Sequence, residues 1–319
     1  MYDVRDEEVD QGVYIYMDKN FYSRLTEILP EDRIKEEEPM RLHTTFRVGG
    51  PARFFVMPKT AEELQGIIAC CRETQVPYYI IGNGSNLLVS DQGYEGVVVQ
   101  IFKEMNEIRI EGEEIVAQAG ALLSAVAARA AEASLTGFEF AAGIPGTLGG
   151  ACVMNAGAYG GEMKDVLTEV QALTREGEIL TIPGDKLELG YRTSVIAKKG
   201  YIVLEAKLRL EKGQEADIRA RMEDLKNRRV TKQPLEYPSA GSTFKRPEGY
   251  FAGKLIQDAG LGGFQVGGAQ VSEKHCGFVI NRDQATAADI AELIRQVQAK
   301  VKEDSGVDLE PEVKRLGEF

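Results

Sequence analysis

Gly143-Ile-Pro-Gly-Thr-Leu-Gly-Gly150, followed by Met154-Asn-Ala-Gly-Ala-Tyr-Gly160, is the stretch whose reading decides the fold. Its glycine density argues against a regular helix or strand, because glycine loses the most backbone freedom on ordering. In exchange, a large planar or diphosphate-bearing group can approach such a backbone at contact distance. A packed turn between two strands has the same composition, so the loop is read together with its neighbours.

A second glycine turn lies upstream. Ala52 to Met57 reads as a strand, and Thr60-Ala-Glu-Glu63 has the [ST]-x-x-[DE] form of a capping box. Leu64, Ile67 and Ile68 follow at helical spacing, and Val76 to Ile81 reads as a buried strand that runs straight into Gly82-Asn-Gly-Ser-Asn86. Strand, helix, strand and glycine turn make an α/β unit. The turn can offer several N–H groups and a hydroxyl to a phosphate, although a purely structural turn looks the same. It begins like the dinucleotide fingerprint and fails it, since the third glycine would fall at position 87, which is Leu87. No GxxxxGK[ST] occurs either, so the chain carries neither a Rossmann dinucleotide site nor a P-loop.

The remaining chain divides by pattern. Residues 1–20 are acidic without a clear period and read as an N-terminal extension; Phe21 to Leu29 reads as a short amphipathic helix and Arg33 to Pro39 as a charged linker. Val97 to Ile101, a hairpin around Glu111-Gly-Glu-Glu114, an Ala-rich helix over Leu122 to Ala133, and strands at Val166–Leu173, Ile179–Ile182 and Tyr201–Leu210 follow. Asp217 to Arg229 is a charged helix leading into a last unit, whose final helix opens at Thr286-Ala-Ala-Asp289. These patterns set expected divisions at 1–20, 21–90, 91–214 and 215–319.

The 38 Lys+Arg against 50 Asp+Glu leave a net charge of −12, which argues against a nucleic-acid or anionic-membrane binder but not against a locally positive cleft. There is no apolar run of membrane-spanning length, and the acidic start lacks the features of a secretory signal, so a cytoplasmic protein is expected. Cys70, Cys71, Cys152 and Cys276 form no CxxC pair and read as reduced thiols. His43 and His275 lie too far apart in sequence to suggest a metal centre, and none is expected.

Taken together, the motifs resemble one family, the UDP-N-acetylenolpyruvoylglucosamine reductases (MurB). The resemblance runs from His43-Thr-Thr-Phe-Arg-Val-Gly-Gly50 through the two glycine loops, Gly190-Tyr-Arg192, Ala240-Gly-Ser-Thr-Phe-Lys245 and Gly253-Lys-Leu-Ile-Gln257 to Leu309-Glu-Pro-Glu-Val313. It implies an α+β fold: a two-part FAD-binding region of the vanillyl-alcohol-oxidase (PCMH) type plus a C-terminal α/β substrate domain. The chain resembles the shorter subtype. Residues 1–20 find no counterpart, and Gly262 stands where some members are expected to carry lysine, which leaves one substrate contact in doubt.

The implied reaction is NADPH-dependent reduction of UDP-N-acetylglucosamine enolpyruvate through non-covalent FAD, in a monomer or weak oligomer that neither binds nucleic acid nor inserts into membranes. NADPH reduces the flavin and leaves; the enolpyruvyl group then takes the hydride at C3 and a proton at C2. A shared flavin site of this kind is consistent with the missing Rossmann motif. The resemblance assigns Gly82, Asn83, Gly84, Ser85, Asn86, Ile144, Pro145, Gly146, Thr147 and Gly149 to the cofactor, and Tyr191, Lys232, Lys245 and Lys254 to the substrate. Arg192, Ser242 and Glu312 become the catalytic set. Arginine forks onto a carboxylate and stays charged. Glu312 would donate a proton if protonated, or orient Arg192 if ionised, and the sequence leaves both open. Ser242, the implied donor to C2, is a poor acid in water and needs a strongly basic intermediate. The neighbouring Arg228 and Arg229 have a plainer reading as a basic helix end favoured by the helix dipole. A flavin alcohol oxidase of the same fold and a non-catalytic flavin or UDP-sugar binding protein are the alternatives; the first reoxidises in air without NADPH, and the second shows no turnover.

Overall fold

The computed structural model describes residues 19–319. The expected extension over 1–20 therefore lies almost wholly outside the described residues; helix α1 covers residues 19–26. Phe21, Leu25 and Leu29, at helical spacing, turn into the core.

The first sheet has the order β1-β2-β5-β3. β1 (Ile34–Pro39) is antiparallel to β2 (Pro51–Val56), while β5 (Tyr94–Gln100) lies parallel between β2 and β3 (Tyr78–Ile81). Val97, Val98 and Val99 are all buried, as an interior strand covered on both faces requires. This sheet runs to Gln100, past the division expected at residue 90. The segment read as a charged linker is β1 itself. Its acidic residues sit on an edge strand, where charge discourages further pairing. Helix α2 (Ala61–Thr74) bridges β2 and β3, with Thr60 accepting the Glu63 N–H at 3.2 Å. The reciprocal half of the box does not form, because the Glu63 carboxylate takes two 2.6 Å bonds from Arg33.

The second sheet is antiparallel throughout, in the order β12-β11-β13-β7-β6. Its strands are β6 (Ile108–Glu111), β7 (Glu114–Gln118), β11 (Leu167–Leu173), β12 (Ile179–Pro183) and β13 (Ile202–Arg209). Helix α3 (Leu123–Glu132) packs beside it, and one continuous core joins Phe54 and Val99 of the first sheet to Ile115, Val170 and Leu204 of the second. Two short ribbons complete this half, β8 (Leu135–Thr136) with β14 (Glu211–Lys212), and β9 (Gly157–Ala158) with β10 (Gly161–Glu162).

The glycine-dense stretch, read as irregular, contains a helix, α4 (Leu148–Met154), capped by Thr147. Gly149 makes this possible. Its N–H donates to the Ala119 carbonyl at 2.8 Å, and a Cβ at this position would lie 2.8 Å from that of Ala119. Packing against a neighbouring backbone, rather than chain freedom, accounts for this glycine.

Helix α6 (Glu215–Lys232) leads into the last unit, built from α7 (Ala252–Asp258), the three-stranded sheet β15 (Gln265–Val266), β16 (Ala269–Val271) and β17 (Val279–Asn281), and α8 (Ala287–Ser305). Ile290, Leu293, Ile294, Val297 and Val301 of α8 pack on Phe244, Ile256, Val271 and Val279. At the start of α8 the Thr286–Asp289 box is complete. Asp91, from the first unit, also accepts the Ala287 and Ala288 N–H groups at 2.8 and 2.9 Å. The chain then returns: β18 (Lys314–Leu316) pairs in parallel with β4 (Leu87–Val89), directly after the first glycine turn.

Candidate active site

The two glycine loops lie against each other. Asn83 donates its side-chain amide to the Pro145 carbonyl at 2.8 Å, the Ser85 hydroxyl faces Gly146, and Gly82 packs on Thr147. Gly84 adopts φ +61°, and a Cβ there would overlap the His43 carbonyl oxygen; its own carbonyl accepts the Thr45 N–H at 3.2 Å. Ile144 packs against the core while Pro145 stays exposed. Of the expected cofactor residues, Gly82–Asn86 and Ile144–Thr147 form one cradle. Gly149 stands behind it, with its N–H already bonded to Ala119.

Arg192 sits in a tight turn with φ +55°, uncommon for a side-chain-bearing residue. Two groups hold that turn. Asn155, 1% exposed, donates its side-chain amide to the Gly190 carbonyl at 3.2 Å and to Glu162 at 2.6 Å. Ser194 donates to the Val153 carbonyl at 2.6 Å and caps α5 (Val195–Lys199). The MNAGAYGG stretch thus fixes the arginine turn.

Glu312 reaches the same place from the other end of the chain. Its N–H donates to the Thr243 carbonyl at 2.8 Å, and the Lys245 N–H donates to the Glu310 carbonyl at 2.8 Å. This pairing sets Ser242 beside the glutamate segment, with Ser242 exposed and Thr243 buried. The Arg192 Nε donates to Glu312 Oε1 at 2.6 Å. Burial pushes the Glu312 carboxyl above its ordinary value, although Arg192, Lys245 and Lys314 pull it back.

Arg192, Ser242 and Glu312 line one cleft of about 430 Å³. Tyr191 lines it too, with the Arg192 guanidinium 5.1 Å from its ring centre and its hydroxyl accepting the Arg246 N–H at 2.8 Å. Among the expected substrate lysines, only Lys254 lines this cleft, and it is paired with Asp258. Lys245 is paired with Glu310 and lines an adjoining cleft beyond Tyr191. Lys232 is exposed, and its charge acts on His275. The sequence reading missed Arg246, Lys274 and His275 on the cleft wall. No local motif announces them, because the wall is assembled from separate turns.

Two further polar groups stand out. The Thr45 hydroxyl is buried beside Gly84 without a partner. Arg229, read as an ordinary helix end, differs from its neighbour: Arg228 pairs with Asp224, whereas Arg229 lies under Tyr159 and against Gly143 with its Nε unpartnered. Burial holds its guanidinium below the usual arginine value. Opposed glycine loops, an orphaned hydroxyl and a sheltered cation fit a diphosphate-bearing cofactor.

Comparison with known proteins agrees. Residues 52–183 match the family model described as an FAD binding domain, and residues 233–316 match that of the UDP-N-acetylenolpyruvoylglucosamine reductase C-terminal domain. The protein of that name from Agathobacter rectalis is 53% identical over 315 residues, covering 95% of this chain and 100% of its own. The chain belongs to the UDP-N-acetylenolpyruvoylglucosamine reductase family. The Clostridioides difficile reductase is 51% identical over 94% of this chain and 99% of its own. The crystal structure of the Thermus caldophilus reductase has a TM-score of 0.78 at 37% identity, over 89% of this chain and 99% of that one. As a member, the protein is a flavin-dependent oxidoreductase with the PCMH-type α+β fold, and FAD is its cofactor. Among the described residues, no helix is long and apolar enough to cross a membrane.

Proposed function

We propose that this chain reduces UDP-N-acetylglucosamine enolpyruvate to UDP-N-acetylmuramate, with NADPH as the hydride source, in the biosynthesis of peptidoglycan precursors. The observation that carries the reading is that Arg192, Ser242 and Glu312, drawn from three distant stretches, line one cleft. Bound FAD supplies the two-electron carrier between NADPH and C3 of the enolpyruvyl group. The loops at 82–86 and 144–147 hold its diphosphate, with the Thr45 hydroxyl and the Arg229 guanidinium as further partners.

Arg192 keeps its Nε on Glu312 and has its two Nη groups for the substrate carboxylate. As C3 gains hydride, charge moves toward C2 and that carboxylate, where a fixed cation is most effective. Glu312 acts through both oxygens: Oε1 orients Arg192, and the other, made easier to protonate by burial, donates to the developing charge. Ser242 gives its hydroxyl proton to C2, a task for a weak acid because the carbon it meets is a strong base. Tyr191, Lys254, Lys245 and Lys232 receive the UDP portion, together with Arg246 and Lys274. UDP-sugars and NADPH are cytoplasmic metabolites, and the reading places the enzyme there, as a monomer or weak oligomer.

The test is direct. The purified protein should be yellow, and NADPH absorbance should fall when the enolpyruvyl substrate is added. A colourless preparation that FAD does not restore, or NADPH loss driven equally well by air without substrate, overturns the reading.

A further inference from the structure

Asn86 ends the first glycine turn, and its side chain does not face the cradle alone. Its side-chain Nδ2 donates to the Glu312 carbonyl at 3.2 Å, and the main-chain carbonyl of Asn86 accepts the Lys314 N–H at 3.0 Å. The two bonds bracket Val313, which is 5% exposed. Immediately beyond, β4 and β18 pair in register, Leu87 with Lys314 and Leu88 with Arg315. On its other side the Glu312 N–H donates to the Thr243 carbonyl, next to the bond from the Lys245 N–H to the Glu310 carbonyl, and its carboxylate takes the Arg192 Nε. The backbone of Glu312 therefore hangs between two anchors, one in the segment that bears Ser242 and one in the cofactor turn.

We propose that Asn86 is a positioning residue for Glu312, linking the turn that cradles the cofactor diphosphate to the placement of the carboxyl that serves the substrate. This rests on the function proposed above. A hydrogen bond to a carbonyl fixes the peptide plane on which the next side chain is built, and a displacement of about 1 Å at a reacting group is enough to slow a step by roughly a hundredfold. Removing the Asn86 amide leaves β4 and β18 paired but frees the Glu312 peptide to rotate. Flavin retention and both half-reactions feel the loss of a cradle residue, but the larger consequence falls on the step that uses Glu312.

The experiment takes Asn86→Ala and the near-isosteric Asn86→Asp in the full chain. Both half-reactions are followed by stopped-flow absorbance and expressed per bound flavin. The expected result is that flavin reoxidation by the enolpyruvyl substrate slows at least roughly tenfold more than flavin reduction by NADPH, the factor equivalent to one lost hydrogen bond. Aspartate should behave like alanine, since it turns an acceptor toward the Glu312 carbonyl. If a variant retains no flavin, amide exchange over residues 312–316 decides instead, with faster exchange than in the parent flavin-free chain expected. Both half-reactions keeping the parent ratio, or unchanged exchange in a flavin-free variant, overturns the proposal. Failure of the parent chain to turn over overturns the proposed function itself, so the two outcomes stay distinct.

Discussion

Arg192 Nε lies 2.6 Å from Glu312 Oε1, although the two residues are 120 positions apart in the chain. Their side chains are 20% and 10% exposed, so the pair is shielded from solvent, and removing either partner would leave the other charge buried without compensation. Lysine keeps the charge but cannot meet Glu312 and fork onto a carboxylate together. Arg192→Lys should slow substrate reduction by about 10²–10³-fold, the usual effect of losing one fixed donor at developing charge. Stopped-flow reoxidation of reduced flavin measures it, and a loss of only a few-fold would remove Arg192 from the reacting centre.

Ser242 stands on the cleft with its hydroxyl unburied. Ser242→Ala should cut the same step by about 10²–10⁴-fold, the range for a positioned proton donor. Ser242→Cys, which restores a proton, should recover part of it. Equal slowing of flavin reduction by NADPH would count against the donor role.

Burial holds Glu312 above the ordinary carboxylate range despite three nearby cations. Between the unfolded and the folded value, the folded chain keeps a proton that the unfolded chain has lost, so this residue's contribution to stability falls as pH rises through that window. Glutamine does not titrate. Glu312→Gln should therefore lose turnover yet gain thermal stability relative to its parent as pH rises from about 4 through the raised folded value, with a level difference above it. Melting curves across that range check the sign; a difference that shrinks with pH refutes it.

Asp91 caps α8 from the first unit, through the N–H groups of Ala287 and Ala288. Asp91→Ala should cost about 1 kcal/mol, the common size of a lost helix cap. Equilibrium denaturation reads this out, and an unchanged midpoint would show that the Thr286–Asp289 box alone suffices.

Gly84 combines φ +61° with a position where any Cβ meets the His43 carbonyl. Gly84→Ala should destabilise the turn by about 1–3 kcal/mol and lower flavin content in the purified protein. Full flavin occupancy in this variant would separate the turn from the cofactor.

How much of this was legible beforehand depended on distance along the chain. The Thr286–Asp289 box and the apolar face of α8 are local patterns and appear as read, whereas the buried strand read over Val76–Ile81 is a shorter edge strand, Tyr78–Ile81, with only Ile81 fully buried. Glu63 satisfies the same local rule yet is drawn away by Arg33, a partner 30 residues upstream. Ile34–Pro39 looks like linker because an edge strand needs charge. Leu148–Met154 looks too glycine-rich for helix because the reason for Gly149 is Ala119, which no window around the loop contains. The site follows the same rule. Arg192, Ser242 and Glu312 were found through family resemblance, whereas Arg246 and Lys274 join the cleft only by tertiary packing.

The parallel pairing of β4 with β18 has a consequence for how the molecule assembles. Asn86 and Glu312 are 226 positions apart, so their junction closes one of the longest loops in the chain, and long-range pairings of this kind form late and slowly. Asn86, the last residue of the glycine turn, meets its Glu312 and Lys314 partners only when that junction forms. A chain arrested before this junction would keep much of its secondary structure, so during refolding the uptake of flavin into the protein fraction serves as a clock for the long-range pairing.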